Sequence, residues 1–242
     1  MTDQKTIAIF GAGTGLGASV ARRYGKAGFR VALVARNAQS LDQRVSELSA
    51  QGIEAAAFPA DLNEIDAIAA LVEKIEGKSG PIHTAVFAPV GSFRMLPAVD
   101  LTAASLKELV NILTLAPVEV VRAVLPGMLA RGNGAIIVAD GLSAVTPMPG
   151  LSGPGPAFAA TRNYILGLHE EIKARGVFAG MLHIGAMIDN STGLRAAAAS
   201  GIPLDDPRLT TIDPDVLAEE IWSMAADRSR AESILPASRY PH

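Results

Sequence analysis

Lys5-Thr6-Ile7-Ala8-Ile9-Phe10-Gly11-Ala12-Gly13-Thr14-Gly15-Leu16-Gly17 is the stretch that decides the fold. A short apolar run ends in four glycines at every second position, and a stretch of helical periodicity follows. A chain that turns this tightly from strand to helix exposes unpaired N–H groups at the helix N-terminus, where the dipole favours negative charge. The segment is therefore a candidate phosphate site. The common spacing Gly-x-Gly-x-x-Gly does not fit, because position 16 is Leu. Gly13-x-Gly15-x-x-Ala18 and Gly11-x-x-x-Gly15-x-Gly17 both fit. The place of the loop, after a first strand and before an amphipathic helix, gives it meaning. The alternative is a turn that holds no ligand.

Outward from this loop, apolar runs alternate with helix-period stretches. Strands are expected at 5–10, 30–35, 53–59, 83–88, 134–140, 177–184 and 232–236, and helices at 15–27, 38–51, 63–77, 102–131, 157–175 and 213–227. The run Phe29-Arg30-Val31-Ala32-Leu33-Val34-Ala35 is nearly all apolar, as in a strand covered on both faces. Such alternation gives a doubly wound parallel sheet with helices on both faces. The expectation is one α/β domain over residues 1–242, a Rossmann fold with a seven-stranded sheet. Asp213-Pro214 reads as an N-cap followed by Pro at the first helical position. The helix at 102–131 is apolar on more than one face. It is read either as core plus a subunit interface, in a homodimer or homotetramer, or as a deeply buried helix.

Composition narrows the function classes. A net charge of −3, with 21 scattered basic residues, argues against a nucleic-acid surface. The absence of cysteine excludes disulfides and thiolate metal sites. His83, His169, His183 and His242 share no metal-ligand spacing, so no metal is expected. Met1-Thr2-Asp3-Gln4-Lys5 leads straight into a strand, without a signal-peptide pattern. The longest apolar candidate, Val110 to Leu129, is interrupted by Pro117, Glu119, Arg122 and Pro126, short of the ~20 residues of a membrane span. A soluble, cytoplasmic protein without a membrane partner is expected.

The strand ends sharpen the ligand. A site for NAD usually carries an acid about 20 residues beyond the loop, which accepts from the ribose hydroxyls. Ala35 and Arg36 stand there instead. No carboxylate repels a 2′-phosphate, and Arg36 can pair with one bidentately, so NADP is favoured over NAD. The third strand ends in Ala60-Asp61-Leu62. Asp61 either accepts from an adenine amino group or caps the next helix.

Together these segments resemble the short-chain dehydrogenase/reductase family over essentially the whole chain. The resemblance rests on Gly11-x-x-x-Gly15-x-Gly17, Asp61-Leu62, Asn111, Leu125-Pro126-x-Met128, Gly132-x-Gly134-x-Ile136-Ile137 and a Gly185 turn after the sixth strand. It implies dinucleotide contacts at Gly11, Gly13, Thr14, Gly15, Leu16, Gly17, Arg36, Asp61, Leu62, Ala88, Arg162 and Gly185. It also implies that Asn111 holds a water in a proton relay. The plainer reading is an exposed or helix-bonded Asn.

The family's chemistry uses a Ser to orient the substrate, a Tyr to move the proton and a Lys four residues beyond the Tyr. Tyr24, Tyr164 and Tyr240 are not followed by such a Lys. The matching helix is Phe158-Ala159-Ala160-Thr161-Arg162, with Phe158 in the Tyr position and Arg162 in the Lys position. The Ser position falls on Gly141 in Ala139-Asp140-Gly141-Leu142-Ser143, with Asp140 and Ser143 as weak substitutes. A phenyl ring has no proton to exchange, and loss of positioned acid–base catalysis typically costs about 10²–10⁴-fold. Where the family has Asn-Asn-Ala-Gly, the fourth strand ends Val86-Phe87-Ala88-Pro89-Val90-Gly91, and Phe10 replaces the polar residue that meets it. An apolar pair there leaves no unpaired group. The Pro- and Gly-rich loop from Thr146 to Pro156 is expected to be irregular and to lie beside the nicotinamide. Residues 186–212 occupy the substrate-lid region, with an Ala-rich helix at 195–199.

Three functions follow as expectations. One is an NADP-dependent oxidoreductase acting on a small-molecule carbonyl or alcohol through a rebuilt proton path, with Asp140, Ser143, Ser152 and Tyr164 as candidate donors. Another is a non-catalytic dinucleotide-binding sensor or partner subunit. A third is a structural descendant without cofactor, against which the intact glycine loop and Arg36 count.

Overall fold

A computed structural model describes residues 4–89, 96–199 and 210–237. Val90, Gly91, Tyr240, His242 and residues 200–209 of the lid region lie outside the described residues. In chain order the elements begin with β1 (Thr6–Phe10), α1 (Leu16–Lys26), β2 (Arg30–Ala35), α2 (Ala38–Ser49), β3 (Ala55–Pro59), α3 (Ile68–Ser79) and β4 (Ile82–Phe87). They continue with α4 (Ala103–Val110), α5 (Ala116–Arg131), β5 (Gly134–Gly141), α6 (Pro154–Ile172) and β6 (Val177–Ile184). The short β7 (Met187–Ile188), α7 (Thr192–Ala199) and β8 (Thr211–Ile212) precede α8 (Pro214–Asp227) and β9 (Glu232–Leu235).

The seven-stranded parallel sheet runs β3-β2-β1-β4-β5-β6-β9. Strand order reverses between β1 and β4, so the connections leave in opposite directions and open a crevice at the carboxyl ends. Alternate strand residues feed two cores. Ala8, Phe10, Val34, Ile136, Val138 and Met181 pack with α3, α5 and α6. Ile7, Ile9, Leu33, Ile137 and Leu182 pack with α1, α2 and α8. Phe10 and Phe87 are register partners in β1 and β4, both buried. They form the apolar pair that the paired substitutions suggest.

Several boundaries differ from the periodicity. The expected helix 102–131 is divided by a π-helical turn, Asn111–Leu115. Pro117 has no N–H to bond the Leu113 carbonyl one turn back. That carbonyl instead accepts from Thr161 Oγ1 on α6 at 2.6 Å, while Thr114 Oγ1 donates to the Ala157 carbonyl at 2.9 Å. The prolines do not end the helix: Ala103–Arg131 is a continuous stretch of 29 residues that contains an 18-residue window of mean hydropathy 1.6, and by length and composition it is apolar enough to cross a membrane. Exclusion of a span from the sequence therefore fails on that ground, although Val120, Val121, Val124 and Met128 lie in the protein core.

The loop expected to reach Pro156 ends earlier. α6 begins at Pro154, because proline is tolerated in a first turn whose N–H groups lack helical partners. The lid helix begins at Thr192, ahead of the expected 195, with Ser191 Oγ accepting from Leu194 N at 3.0 Å. α3 begins at Ile68 after a 3₁₀ turn, Ile65–Ala67. Asp213 caps α8 by accepting from Asp215 N at 2.8 Å, with Pro214 next in the chain, as the sequence indicated.

Candidate functional site

The glycine loop closes tightly on itself and on β4. Gly11 has φ +92°, and a Cβ there would overlap the backbone of Ala88 and Pro89. A Cβ on Gly17 would stand 2.8 Å from Ala12 Cα, so only glycine lets α1 start this close to the loop. No side chain caps α1, and no acid stands in its first turn. This N-terminus therefore has the donors and the dipole sign that suit a phosphate. Thr14 lies at the crest, its Oγ1 donating to the Asn190 carbonyl at 2.7 Å. Leu16 is buried. A Cβ on Gly15 would meet Ser191 Cβ at 3.0 Å, so the lid segment lies directly over the loop. Gly13 has open space where its Cβ would be, with only the Gly11 carbonyl at 3.8 Å.

Arg36 is exposed at the end of β2, near Asp61. Asp61 Oδ1 accepts from the backbone N and the Nδ2 of Asn63, both at 3.0 Å. Those two bonds, and then the Arg36 charge, hold the carboxyl below its usual range. Asp61 thus braces the turn after β3, beside a small pocket lined by Pro59, Ala60, Glu64 and Leu71. Leu62 is a core residue. Ala88 N donates to the Phe10 carbonyl at 2.8 Å, and Gly185 N to the Leu235 carbonyl at 2.7 Å, so both close loops at the sheet's carboxyl edge. These features fit a dinucleotide laid across that edge.

The other half of the crevice brings Gly141, Ser143 and Phe158 together. A Cβ on Gly141 would lie 3.4 Å from the Phe158 ring and 3.7 Å from Ser143 Oγ. The Ser and Tyr positions are thus in contact, and neither side chain has a hydroxyl. Ser143 is buried in a 3₁₀ turn next to them.

Arg162 is engaged by the last strand of the sheet. Its Nε donates to Glu232 Oε1, and its Nη2 to Glu232 Oε2 at 2.9 Å, a bidentate pair with the edge strand. Glu232 Oε1 also bonds His183 Nε2 at 2.8 Å, and His183 Nδ1 bonds Asp140 Oδ1 at 2.5 Å. Asp140 and His183 are register partners on β5 and β6. The four groups form a continuous chain beneath α6. His183 is fully buried, whereas the Glu232 side chain is 28% exposed. Burial pushes the Asp140 carboxyl up to about 6, against the pull of His183. Burial also opposes a charge on His183, but its bonds to Asp140 and Glu232 prevail and raise its pKa. The Arg162 bond holds Glu232 down. Asp140 Oδ2 is buried with no hydrogen-bond partner.

Asn111 finds a backbone partner. Its Nδ2 donates to the Asn63 carbonyl at 3.0 Å, which ties the π turn to the loop after β3. Tyr164 is half-buried against the α3–α5–α6 core, and burial raises its pKa. His183 and Glu232 escaped the sequence reading. The available signal was a histidine and a glutamate in otherwise apolar strands at the same sheet edge as Asp140.

A family model described as short chain dehydrogenase matches residues 5–198. A short chain dehydrogenase of Pseudocercospora fijiensis is 31% identical over 187 residues, 76% of this chain and 60% of that protein. A fatty acyl-CoA reductase of Mycobacterium tuberculosis is 34% identical over 134 residues, 55% of this chain and 46% of that protein. The chain thus spans about half the length of the curated relatives it matches. Among solved structures, a metagenomic short-chain oxidoreductase in complex with NADP has a TM-score of 0.78 at 24% identity, covering 96% of both chains. A gluconate 5-dehydrogenase from Burkholderia cenocepacia, in complex with NADP and tartrate, has a TM-score of 0.83 at 21% identity over 96% of this chain and 94% of that one. At these identities the likeness shows the fold.

Proposed function

Because the chain belongs to the short chain dehydrogenase family, we propose that it binds NADP(H) across the glycine loop and acts as an oxidoreductase on a carbonyl or alcohol, with its proton carried by Asp140, His183 and Glu232. The bound dinucleotide would supply the hydride. Gly11 to Gly17 and the N-terminus of α1 would hold its diphosphate, and Arg36 its 2′-phosphate. The observation that carries the proton path is the unbroken bond chain from partly exposed Glu232 to buried Asp140, next in sequence to the Gly141 position. A proton accepted at Glu232 Oε1 passes to His183 Nε2, while His183 Nδ1 gives its proton to Asp140 Oδ1. Asp140 then stands as a neutral acid, and a half-turn of the carboxyl would bring that proton to the Oδ2 position, which has no internal partner, for donation to the substrate. A carboxyl raised to about 6 is suited to general acid work near neutrality. Arg162 fixes Glu232 and acts as a positioning residue. The exposed flank of α4–α5, with Leu115 45% exposed, is read as the subunit interface of a homodimer or homotetramer.

A second reading, binding without turnover, draws on the Phe158–Gly141 contact and on the engagement of Arg162 by Glu232. Both readings require the dinucleotide. Titration with NADPH and NADH, followed by nicotinamide fluorescence, tests that requirement, and lack of binding of either at millimolar concentration overturns both. NADPH oxidation with a panel of aldehydes and ketones then separates turnover from binding alone.

A further inference from the structure

Two arginines outside every recognised motif converge on the crest of the glycine loop. Arg44, in the second turn of α2, donates from Nη1 to the Gly13 carbonyl, and its Nε is buried with no hydrogen-bond partner. Arg195, on α7, donates from Nη2 to Thr14 Oγ1 at 2.8 Å and from Nη1 to the Asn190 carbonyl at 2.9 Å. Its Nη2 also reaches Thr192 Oγ1 at 3.2 Å. Neither guanidinium is ion-paired to a carboxylate among the described residues. They lie close enough to oppose each other: burial, and then the Arg195 charge, lower the pKa of Arg44, with Glu47 acting the other way. Two like charges gathered at a phosphate loop, one with an orphaned N–H, form half of an anion site.

Their position identifies the anion. The diphosphate belongs at the N-terminus of α1, from Gly15 onward. Gly13 and Thr14 precede it in the loop, and α2, which carries Arg44, follows directly after Arg36 and Asn37. This is the side of the adenosine ribose. We propose that Arg44 and Arg195 join Arg36 in holding the ribose 2′-phosphate of NADP(H), and that Arg195 thereby couples this phosphate to docking of the lid helix α7 on the loop. The inference rests on the NADP(H) reading above. It adds selection between the two nicotinamide dinucleotides by a residue of the lid.

The test is a set of fluorescence titrations with NADPH and NADH on the unmodified protein, Arg44→Gln and Arg195→Gln, with amide hydrogen exchange over residues 192–199. Each substitution should raise the NADPH Kd about tenfold or more, as loss of a charge-assisted bond does, and leave the NADH Kd within about twofold. NADPH should slow exchange in α7 of the unmodified protein more than NADH does, and Arg195→Gln should abolish that difference. Arg195→Lys should recover only part of the affinity, because it keeps the charge without the fork. Equal weakening for both nucleotides would assign the arginines to the diphosphate and overturn the proposal. Unchanged affinity in both Gln variants would overturn it while leaving the NADP(H) reading intact. An unmodified protein that binds neither nucleotide would overturn both.

Discussion

Asp140→Asn should reverse the order of stability of the two proteins across the pH scale. The Asp140 side chain is 1% exposed, and burial raises its carboxyl from 3.8 to about 6. Between those values the folded protein holds a proton that the unfolded chain has released. Stability therefore falls with rising pH in this window: the contribution is full below 3.8 and is lost as pH rises through about 6. The difference between the two values corresponds to about 3 kcal/mol. His183 acts with the same sign, since a raised imidazole stabilises below its ordinary 6.5 and that stabilisation is lost as pH rises through its folded value. Asn is nearly isosteric with the protonated acid and carries no charge to bury. At pH 4 both side chains are uncharged, but the Asn amide places its N–H donors where Oδ2 has no partner, so the unmodified protein should be the more stable. By pH 7.5 the variant should be more stable by up to about 3 kcal/mol. Urea unfolding of both proteins at half-unit steps from pH 4 to 8, at constant ionic strength, measures the difference directly. A difference that stays flat within about 0.5 kcal/mol, or one that shifts in favour of Asp140 as pH rises, would refute the raised carboxyl.

Other perturbations probe separate parts of the molecule. Gly11→Ala puts a Cβ into the backbone of Ala88 and Pro89 at φ +92°, and should cost about 2 kcal/mol or more, read as a lower urea midpoint. Thr161→Val leaves the Leu113 carbonyl of the π turn without its donor and should cost about 1–3 kcal/mol, checked by thermal unfolding. Arg36→Ala should weaken NADPH about tenfold or more in a fluorescence titration and leave NADH nearly unchanged.

The fold was legible because its signals are local. Lys5 to Gly17 announces strand, loop and helix in thirteen consecutive residues, and the later apolar runs repeat the pattern at expected intervals. The Phe10–Phe87 contact was legible because two polar residues of a known pairing had been replaced together. The π turn was not, since it depends on a missing N–H at Pro117 and a hydroxyl at Thr161, 48 residues from its acceptor. Position alone made Arg162 a ribose ligand. Its actual direction is decided by Glu232, 70 residues further on, at the last strand of the sheet. Periodicity assigns His183 to a strand face, but only sheet order shows that Asp140 lies beside it. Arg44 and Arg195 were hidden for the same reason, because their meeting depends on how α2 and the lid return to the loop.

The most direct measurement is NADPH oxidation against a panel of aldehydes and ketones, run on the unmodified protein and on Asp140→Asn, with NADPH affinity measured in parallel. The proton path through Asp140 predicts turnover by the unmodified protein, a loss of about 10²–10⁴-fold in the variant, and equal NADPH affinity in both. Turnover that survives unchanged in Asp140→Asn, or a protein that binds NADPH tightly and oxidises it with no carbonyl in the panel, would contradict that path.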